Sequence, residues 1–199
     1  MKIALVSFTL LFSGAVWAHP HSFIDMQTEL IGKDDHLSAM KMVWTMDEIT
    51  SADLLYDAGN AKPGEVVWKK LAAQVMANVL GQHYFTEVWQ DKNRVKFLNL
   101  PQEYQLSRKG NKAVLEFIVP FSEPQSLSAR QYRIQTFDPS YFVDMYYDNP
   151  QAITMDETVK AHCQFDLHTP KPDDSLKQYA LSLDKADAPP EDMDLGQQF

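Results

Sequence analysis

The residues best suited to chemistry lie near the start of the chain, in the sequence His19-Pro20-His21. In an extended segment, residues two apart project from the same face, with α-carbons about 7 Å apart. Two imidazoles at this spacing can bind one metal ion, because neutral imidazole is a common ligand and is mostly unprotonated near pH 7. The spacing therefore predicts a metal site that includes His19 and His21.

Pro20 restricts how these histidines can bind copper. The amino-terminal copper motif that ends in a third-position histidine binds through the backbone amide of residue two, and proline has no amide hydrogen. Coordination by imidazoles remains, with a terminal amine as a third nitrogen if cleavage exposes His19. Such a ligand set suits zinc or copper, and the alternative is a polar leader without a metal.

Three carboxylates are candidates to complete the site. Asp144 lies inside the sequence YFVDMYY, where an unpaired charge would be costly, so it needs an arginine, a hydrogen-bond donor or a cation. Asp138 precedes a proline in a turn, and Asp47 favours the first turn of a helix, so each of these two also has a structural explanation.

The first 18 residues resemble a secretory signal peptide. Lys2 precedes an apolar run over residues 3–12, and small residues precede a cleavage site after Ala18. The run is much shorter than the roughly 20 residues that span a membrane, so we expect an exported protein without membrane insertion. Cleavage would make His19 the first residue.

Composition restricts the partners of the protein. The chain has 27 acidic and 18 basic side chains and a formal net charge of −9, so nucleic acids and anionic lipids are poor partners whereas cations are suitable ones. The single cysteine, Cys163, cannot form an intramolecular disulfide. It is either buried and inert or pairs with a partner outside this sequence.

The order of elements predicts an α+β fold, a mostly antiparallel β-sheet with two helices inserted after an N-terminal hairpin. Residues 22–32 and 36–46 alternate like a hairpin, and a capping box from Thr45 to Glu48 predicts a helix towards Gly59. A second helix is predicted over residues 63–81. Further strands are predicted over residues 84–90, 94–100, 103–108, 112–121, 131–137, 141–147 and 162–168. We expect one domain over residues 19–182 and a flexible acidic tail over residues 183–199.

Three methionines share one face of the second strand with Trp44. Met40, Met42 and Met46 could bind monovalent copper through their thioethers, but alternating methionine and tryptophan on a strand more often fill a core. We therefore expect core packing for this set.

Three segments together carry a family resemblance: AHPHSFID, VWTMDEITSADLL and TFDPSYFVDMYY. In this order they resemble a bacterial periplasmic family, initially of unknown function, that is encoded beside nickel/cobalt-type permeases and includes the ZevA-type partner in zinc uptake. The resemblance implies a periplasmic protein that binds a divalent metal, zinc first and copper or nickel as alternatives, and works with an inner-membrane permease. It places metal ligation on His19 and His21, and also on Asp47 and Asp138.

Two other functions compete with metal uptake. The protein could handle copper through the N-terminal histidines, or it could be a metal-free interaction domain that docks on a membrane complex through exposed aromatic residues. We do not expect an enzyme, because the sequence has no Ser-His-Asp or Cys-His set at an interpretable spacing.

Overall fold

The structure is a computed structural model of the 199-residue chain, and it describes residues 21–128, 130–183, 189–190 and 193–199. These residues form an α+β fold, which confirms the predicted class. The strands are β1 (Ser22–Lys33), β2 (His36–Met46), β3 (Thr86–Gln90), β4 (Asn93–Val95), β5 (Tyr104–Lys109), β6 (Lys112–Ser126), β7 (Tyr132–Thr136), β8 (Val143–Tyr146) and β9 (Ile153–Met155). The helices are α1 (Glu48–Ala58), α2 (Val66–Gly81), α3 (Glu157–His162) and α4 (Asp174–Ser182).

The strands form two sheets. The larger has the order β5-β6-β2-β1-β8. The short strand β9 pairs with β1 on the same edge as β8, further along β1. The pairings of the larger sheet are antiparallel except for those of β1 with β8 and β9, which are parallel. The smaller sheet has the order β4-β3-β7 and is antiparallel. The strand pairings of the two sheets are therefore mostly antiparallel, as predicted. Helices α1 and α2 follow the N-terminal hairpin, also as predicted.

The hairpin between β1 and β2 follows from two aspartates. Lys33 pairs with His36, which leaves Asp34 and Asp35 as a two-residue loop. Both have positive φ, 51° and 57°, the backbone that a two-residue hairpin turn requires and that aspartate tolerates better than most residues. This turn sets the register between β1 and β2 near the hairpin loop.

Alternation along β1 and β2 places the core. Ile24 and Met26 are buried, whereas Phe23 and Gln27 are exposed on the opposite face. Met26 pairs with Trp44 across the strands, and the buried side chains of β2 continue this inner face. The members of that set are Met40, Met42, Trp44 and Met46, all 5% exposed or less. The methionines therefore pack in the core, as expected.

Helix α1 begins two residues later than the capping box predicts. Thr45 belongs to β2 and pairs with Asp25 and Val114, so the strand extends to Met46 and the N-cap is Asp47. The end of α1 agrees with the prediction, because Gly59 follows Ala58 as the C-cap. Cross-strand pairing on both sides of β2 thus overrides the local capping signal of Thr45.

The predicted strand over residues 162–168 is wrong. His162 ends α3, and residues 163–173 have no regular secondary structure. Two aspartates account for the helices on either side, since Asp156 caps α3 through the Val159 N–H and Asp173 caps α4 through the Leu176 N–H. Aspartate is a preferred N-cap residue, so the sequence contains a signal for both helix starts.

The chain enters β3 through a left-handed turn. His83, Tyr84 and Phe85 have φ of 50°, 61° and 50°, so β3 begins at Thr86 and not at residue 84 as predicted. Left-handed backbone costs about 1–2 kcal/mol per non-glycine residue. Burial of Tyr84 offsets part of this cost, since its ring stacks on Phe117 and its hydroxyl donates to the Leu98 carbonyl.

Residues 193–199, the last part of the chain that the structure describes, pack against the fold; the flexible tail expected over residues 183–199 stays a prediction, because residues 184–188 and 191–192 lie outside the described residues. Leu195 is fully buried, and the Phe199 ring stacks on Tyr141 with centroids 4.0 Å apart. The backbone of Gly196 lies so close to Asp138 that a β-carbon there would collide with the Asp138 carbonyl oxygen. The apolar residues at the end of the chain, and not its acidic ones, determine this packing.

Gly196→Ala should displace the C-terminal segment, because the added methyl group has no room against Asp138. We expect amide hydrogens of residues 193–199 to exchange at least tenfold faster, with the global midpoint of urea unfolding changed much less. Gly81→Ala is the control, since nothing lies within 4 Å of a β-carbon at that helix end. Equal exchange rates in wild type and Gly196→Ala would contradict the observed packing.

A chain of hydroxyl groups joins the two sheets. Thr28 of β1 donates to the Met42 sulfur and lies 2.8 Å from the Tyr147 hydroxyl, which also bonds Thr136 of β7. Thr136 in turn lies 3.0 Å from the hydroxyl of Thr86 on β3. Burial raises the pKa of Tyr147, so its hydroxyl stays protonated over the physiological range.

Tyr147→Phe should destabilise the protein by about 1–2 kcal/mol, because Thr28 and Thr136 lose their shared partner inside the fold. Urea unfolding measured by circular dichroism gives the change in free energy. Tyr104→Phe is the matched control, since Tyr104 is 44% exposed and its hydroxyl has no hydrogen bond to any described residue. Equal stabilities for the two variants would show that the hydroxyl chain contributes nothing.

Candidate functional site

His21 lies at one end of the large sheet, just before β1. Its backbone N–H donates to the Phe142 carbonyl at 2.9 Å, and its ring lies against the Phe142 ring with centroids 4.7 Å apart. The parallel register of β1 and β8 continues this alignment, with Ser22 beside Val143. His19, the other predicted ligand, lies outside the residues that the structure describes.

Asp47 connects three segments around the start of β1. One carboxylate oxygen accepts the backbone N–H groups of Ile49 and Thr50, and the other accepts the Phe23 N–H at 2.7 Å and the Thr50 hydroxyl at 2.6 Å. Partial burial alone would raise the pKa of Asp47, but these hydrogen bonds outweigh it and hold the pKa below its ordinary value. The carboxylate is therefore ionised and fully used as an acceptor.

Asp138 has a similar role at the start of β8. One of its oxygens accepts the backbone N–H and the hydroxyl of Ser140, and the other accepts the Val143 N–H at 3.0 Å. The side chain is 8% exposed. As predicted, Asp138 forms a turn, and Tyr141 donates its N–H back to the Asp138 carbonyl.

Asp144 differs from both. It pairs with Phe23 across β1 and β8, and its side chain has no hydrogen bond or ion pair with any described residue. Burial raises the pKa of this carboxyl above its ordinary value. Asp144 therefore has an unmet demand for a cation or a donor, as its apolar neighbours in the sequence predict.

An ionised carboxylate can accept about four hydrogen bonds, and this limit ranks the candidates. Asp47 has used all four positions and Asp138 three, whereas Asp144 has used none among the described residues. Extending the β1–β8 register by one residue to His21 puts Asp144 on the same sheet face, with α-carbons about 8 Å apart, and the contact of the His21 ring with Phe142 agrees with this placement. Asp144 is thus the carboxylate best placed to share a cation with His21.

The described residues alone do not form a complete metal site. No group of three or more histidine, cysteine, aspartate or glutamate side chains within them has the arrangement to hold an ion. The structure brings His21, Asp47, Asp138 and Asp144 to one end of the sheet, but two of these carboxylates are occupied by the backbone. A metal bound there would require a ligand from the N-terminal residues outside the described part.

Several carboxylates surround Tyr146, a residue the sequence did not single out. Burial raises the pKa of its phenol, and the charges of Asp25, Asp144, Asp148 and Asp47 raise it further. The ion pairs among the described residues involve none of these four aspartates. This end of the sheet therefore has a negative potential that favours cations.

Two other histidines, His36 and His162, and the cysteine lie elsewhere. The His162 imidazole lies 3.1 Å from the Asp35 carboxylate, and the His36 ring contacts the Asp34 carbonyl at 2.6 Å, both beside the hairpin turn. Cys163 is partly buried and packs against the main core. None of these residues belongs to the sheet end that carries His21.

An open recess of about 550 Å³ lies between α4 and the C-terminal segment. Its lining includes Leu176, Tyr179 and Met193. None of the predicted ligands lines it, so it does not contribute to the candidate site.

Comparison with known proteins gives the family. The family described as "Protein of unknown function (DUF1007)" matches residues 4–199. The chain belongs to this family. A relative from Haemophilus influenzae, described as "Uncharacterized protein", is 35% identical over 200 residues, which cover 100% of this chain and 96% of the relative. No solved structure matches the chain.

Membership of the DUF1007 family confirms the resemblance at the level of the family. The descriptions of the family and of the relative contain no activity, so zinc uptake and a permease partner stay predictions. Among the described residues, no helix combines the length and the apolar character needed to cross a membrane.

Asp47, which accepts the Phe23 N–H, and Asp144, which pairs with Phe23 across the strands, should affect stability in opposite directions. The pKa of Asp47 falls below 3.8 on folding, so its stabilisation is present above pH 3.8 and is lost as the pH falls through the folded value. The pKa of Asp144 rises above 3.8, so its ionisation destabilises the fold as the pH rises through the folded value, and this cost is absent at lower pH.

We therefore expect Asp47→Asn to lose about 1–2 kcal/mol at pH 7 and Asp144→Asn to gain about 1 kcal/mol or less, with both differences shrinking near pH 3. Urea unfolding in a chelator at both pH values measures this. Asp53→Asn is the control, because Asp53 is an exposed residue of α1. A loss of stability in Asp144→Asn at pH 7 would contradict the description of Asp144 as an unsatisfied carboxylate.

Proposed function

We propose that this protein binds a divalent metal ion, with zinc as the preferred ion, at the sheet end that carries His21. The ligands are the imidazoles of His19 and His21 together with the Asp144 carboxylate. The observation that carries the proposal is the pairing of β1 with β8, continued by the contact of His21 with Phe142, which brings His21 near an Asp144 carboxylate that has no partner among the described residues. Two imidazoles and one carboxylate form a ligand set that zinc accepts, with an open fourth position.

Asp47 and Asp138 act as positioning residues in this proposal. Their oxygens bind the backbone of the two segments that present His21 and Asp144, so ligation by either would release hydrogen bonds to Phe23 or Val143. This revises the ligand set that the family resemblance implies, in which both aspartates are direct ligands, and keeps the structural roles that their positions in the sequence predict. Neutralising either one is expected to weaken metal binding by disturbing the geometry.

Zinc is preferred over monovalent copper because of where the thioethers lie. Met40, Met42 and Met46 are buried in the core on the inner sheet face, whereas His21 and Asp144 belong to the outer face. Nitrogen and oxygen ligands without sulfur suit zinc better than monovalent copper. The resemblance to proteins encoded beside nickel/cobalt-type permeases extends the proposal to a periplasmic protein, exported by residues 1–18, that serves an inner-membrane metal permease.

The test is zinc titration by calorimetry on protein whose first residue, confirmed by mass spectrometry, is His19. We expect one site, at least tenfold weaker binding in His21→Ala and Asp144→Asn, and loss of affinity below about pH 6 as protons compete for imidazole. His168→Ala is the control, because His168 is exposed and distant in the sequence from the site. Unchanged affinity on replacing both His19 and His21 would overturn the proposal, and tighter binding of Cu(I) than zinc would overturn the choice of metal.

A further inference from the structure

The outer face of β1 and β8 presents aromatic rings and carboxylates side by side. Phe23 pairs with Asp144, and Asp25 pairs with Tyr146. Each pair therefore has one ring and one carboxylate, with the order reversed between the strands. We call these four residues the aromatic–acidic face.

Burial shows which way these side chains point. Ser22 and Ile24, which alternate with Phe23 and Asp25, are buried, and Val143 and Met145 pack against the main core. The rings on the opposite side are accessible, with Phe23 42% and Tyr146 40% exposed. Two large exposed rings on neighbouring strands are a feature of protein-binding surfaces.

Charge indicates what kind of group would cover this surface. Neither Asp25 nor Asp144 forms an ion pair with a described basic side chain, and Asp47 and Asp148 add to the charge around Tyr146. A cation over an aromatic ring with a carboxylate beside it gains from both interactions, and the planar guanidinium of arginine uses them better than lysine does. Acidic peptides, nucleic acids and anionic lipids are repelled.

We propose that the aromatic–acidic face docks a partner protein through a basic segment, with arginine side chains seated against Phe23 and Tyr146. An extended segment with arginines two residues apart matches the face, because the two residues project to one side about 7 Å apart, close to the diagonal spacing of about 8 Å between the α-carbons of Phe23 and Tyr146 on the neighbouring strands. This surface adjoins His21 and shares Asp144 with the proposed metal site, so a bound metal and a docked arginine would compete for that carboxylate. The inference goes beyond metal binding and does not depend on it.

The test is a nuclear magnetic resonance titration of the full chain with the acetylated, amidated peptide Gly-Arg-Gly-Arg-Gly in a chelator and 150 mM salt. We expect amide shifts concentrated at residues 22–25 and 143–147. The double variant Phe23→Ser/Tyr146→Ser should bind about 4- to 25-fold more weakly, since each cation–aromatic contact contributes about two- to fivefold. Its net charge is unchanged, so general electrostatic attraction cannot explain the loss.

Two matched controls make the result specific. Val66→Ser removes another exposed apolar side chain, on α2, and should leave the affinity unchanged. The peptide Gly-Glu-Gly-Glu-Gly should not bind. Asp25→Asn, a milder change, should weaken binding in the same direction if the double variant fails to fold. Shifts spread over all acidic surfaces, or equal affinity in the double variant and wild type, would overturn the proposal; because metal is absent, failure of the zinc proposal would not affect these outcomes.

Discussion

The Asp47 carboxylate holds together the end of the sheet on which the proposed function depends. Its two oxygens bind the start of β1 through Phe23 and the first turn of α1 through Ile49 and Thr50, while its own N–H donates to the Phe23 carbonyl. One side chain thus fixes the first strand, the end of the hairpin and the first helix relative to each other. The lowered pKa of Asp47 is the thermodynamic expression of that arrangement, because each hydrogen bond favours the ionised form.

Asp138 repeats this arrangement on the other side of β1. It binds the Val143 N–H and so orients β8, whose preceding residue Phe142 accepts the His21 N–H. The C-terminal segment packs on the same turn, with Gly196 against Asp138 and Phe199 on Tyr141. The position of His21 therefore depends on the Asp138 turn, against which residues near the end of the chain also pack.

Local patterns in the sequence were sufficient for much of the fold and for only part of the site. Alternation identified β1 and β2, and Gly59 identified the end of α1. The local sequence does not show that Thr45 belongs to β2 and not to the helix start. Its place in β2 depends on pairing with β6, a strand about 70 residues later. The aromatic residues near position 84 predict a strand, because such residues favour strands, whereas tertiary packing decides the burial of Tyr84 in a left-handed turn.

The same distinction applies to the carboxylates. A sequence can indicate that Asp47, Asp138 and Asp144 each have a demand for partners, but only the fold shows which demands the backbone satisfies. Asp47 accepts four hydrogen bonds and Asp138 three, so a cation on either would compete with the bonds that position the strands, and we regard both as supports and not as ligands. Asp144 is the opposite case, since burial raises its pKa and no described donor compensates its charge.

This division explains why one end of the sheet suits cations of more than one kind. Backbone hydrogen bonds satisfy the acceptor oxygens of Asp47 and Asp138, but both carboxylates keep their negative charge. Asp25 and Asp148 add further negative charge around Tyr146. Such a field attracts a metal ion and a basic side chain alike, and the ligand atoms decide between them. Imidazole nitrogens from the N-terminal residues favour a metal, whereas the rings of Phe23 and Tyr146 favour an organic cation. Because Asp144 belongs to both sets of groups, occupation of one site is expected to weaken binding at the other.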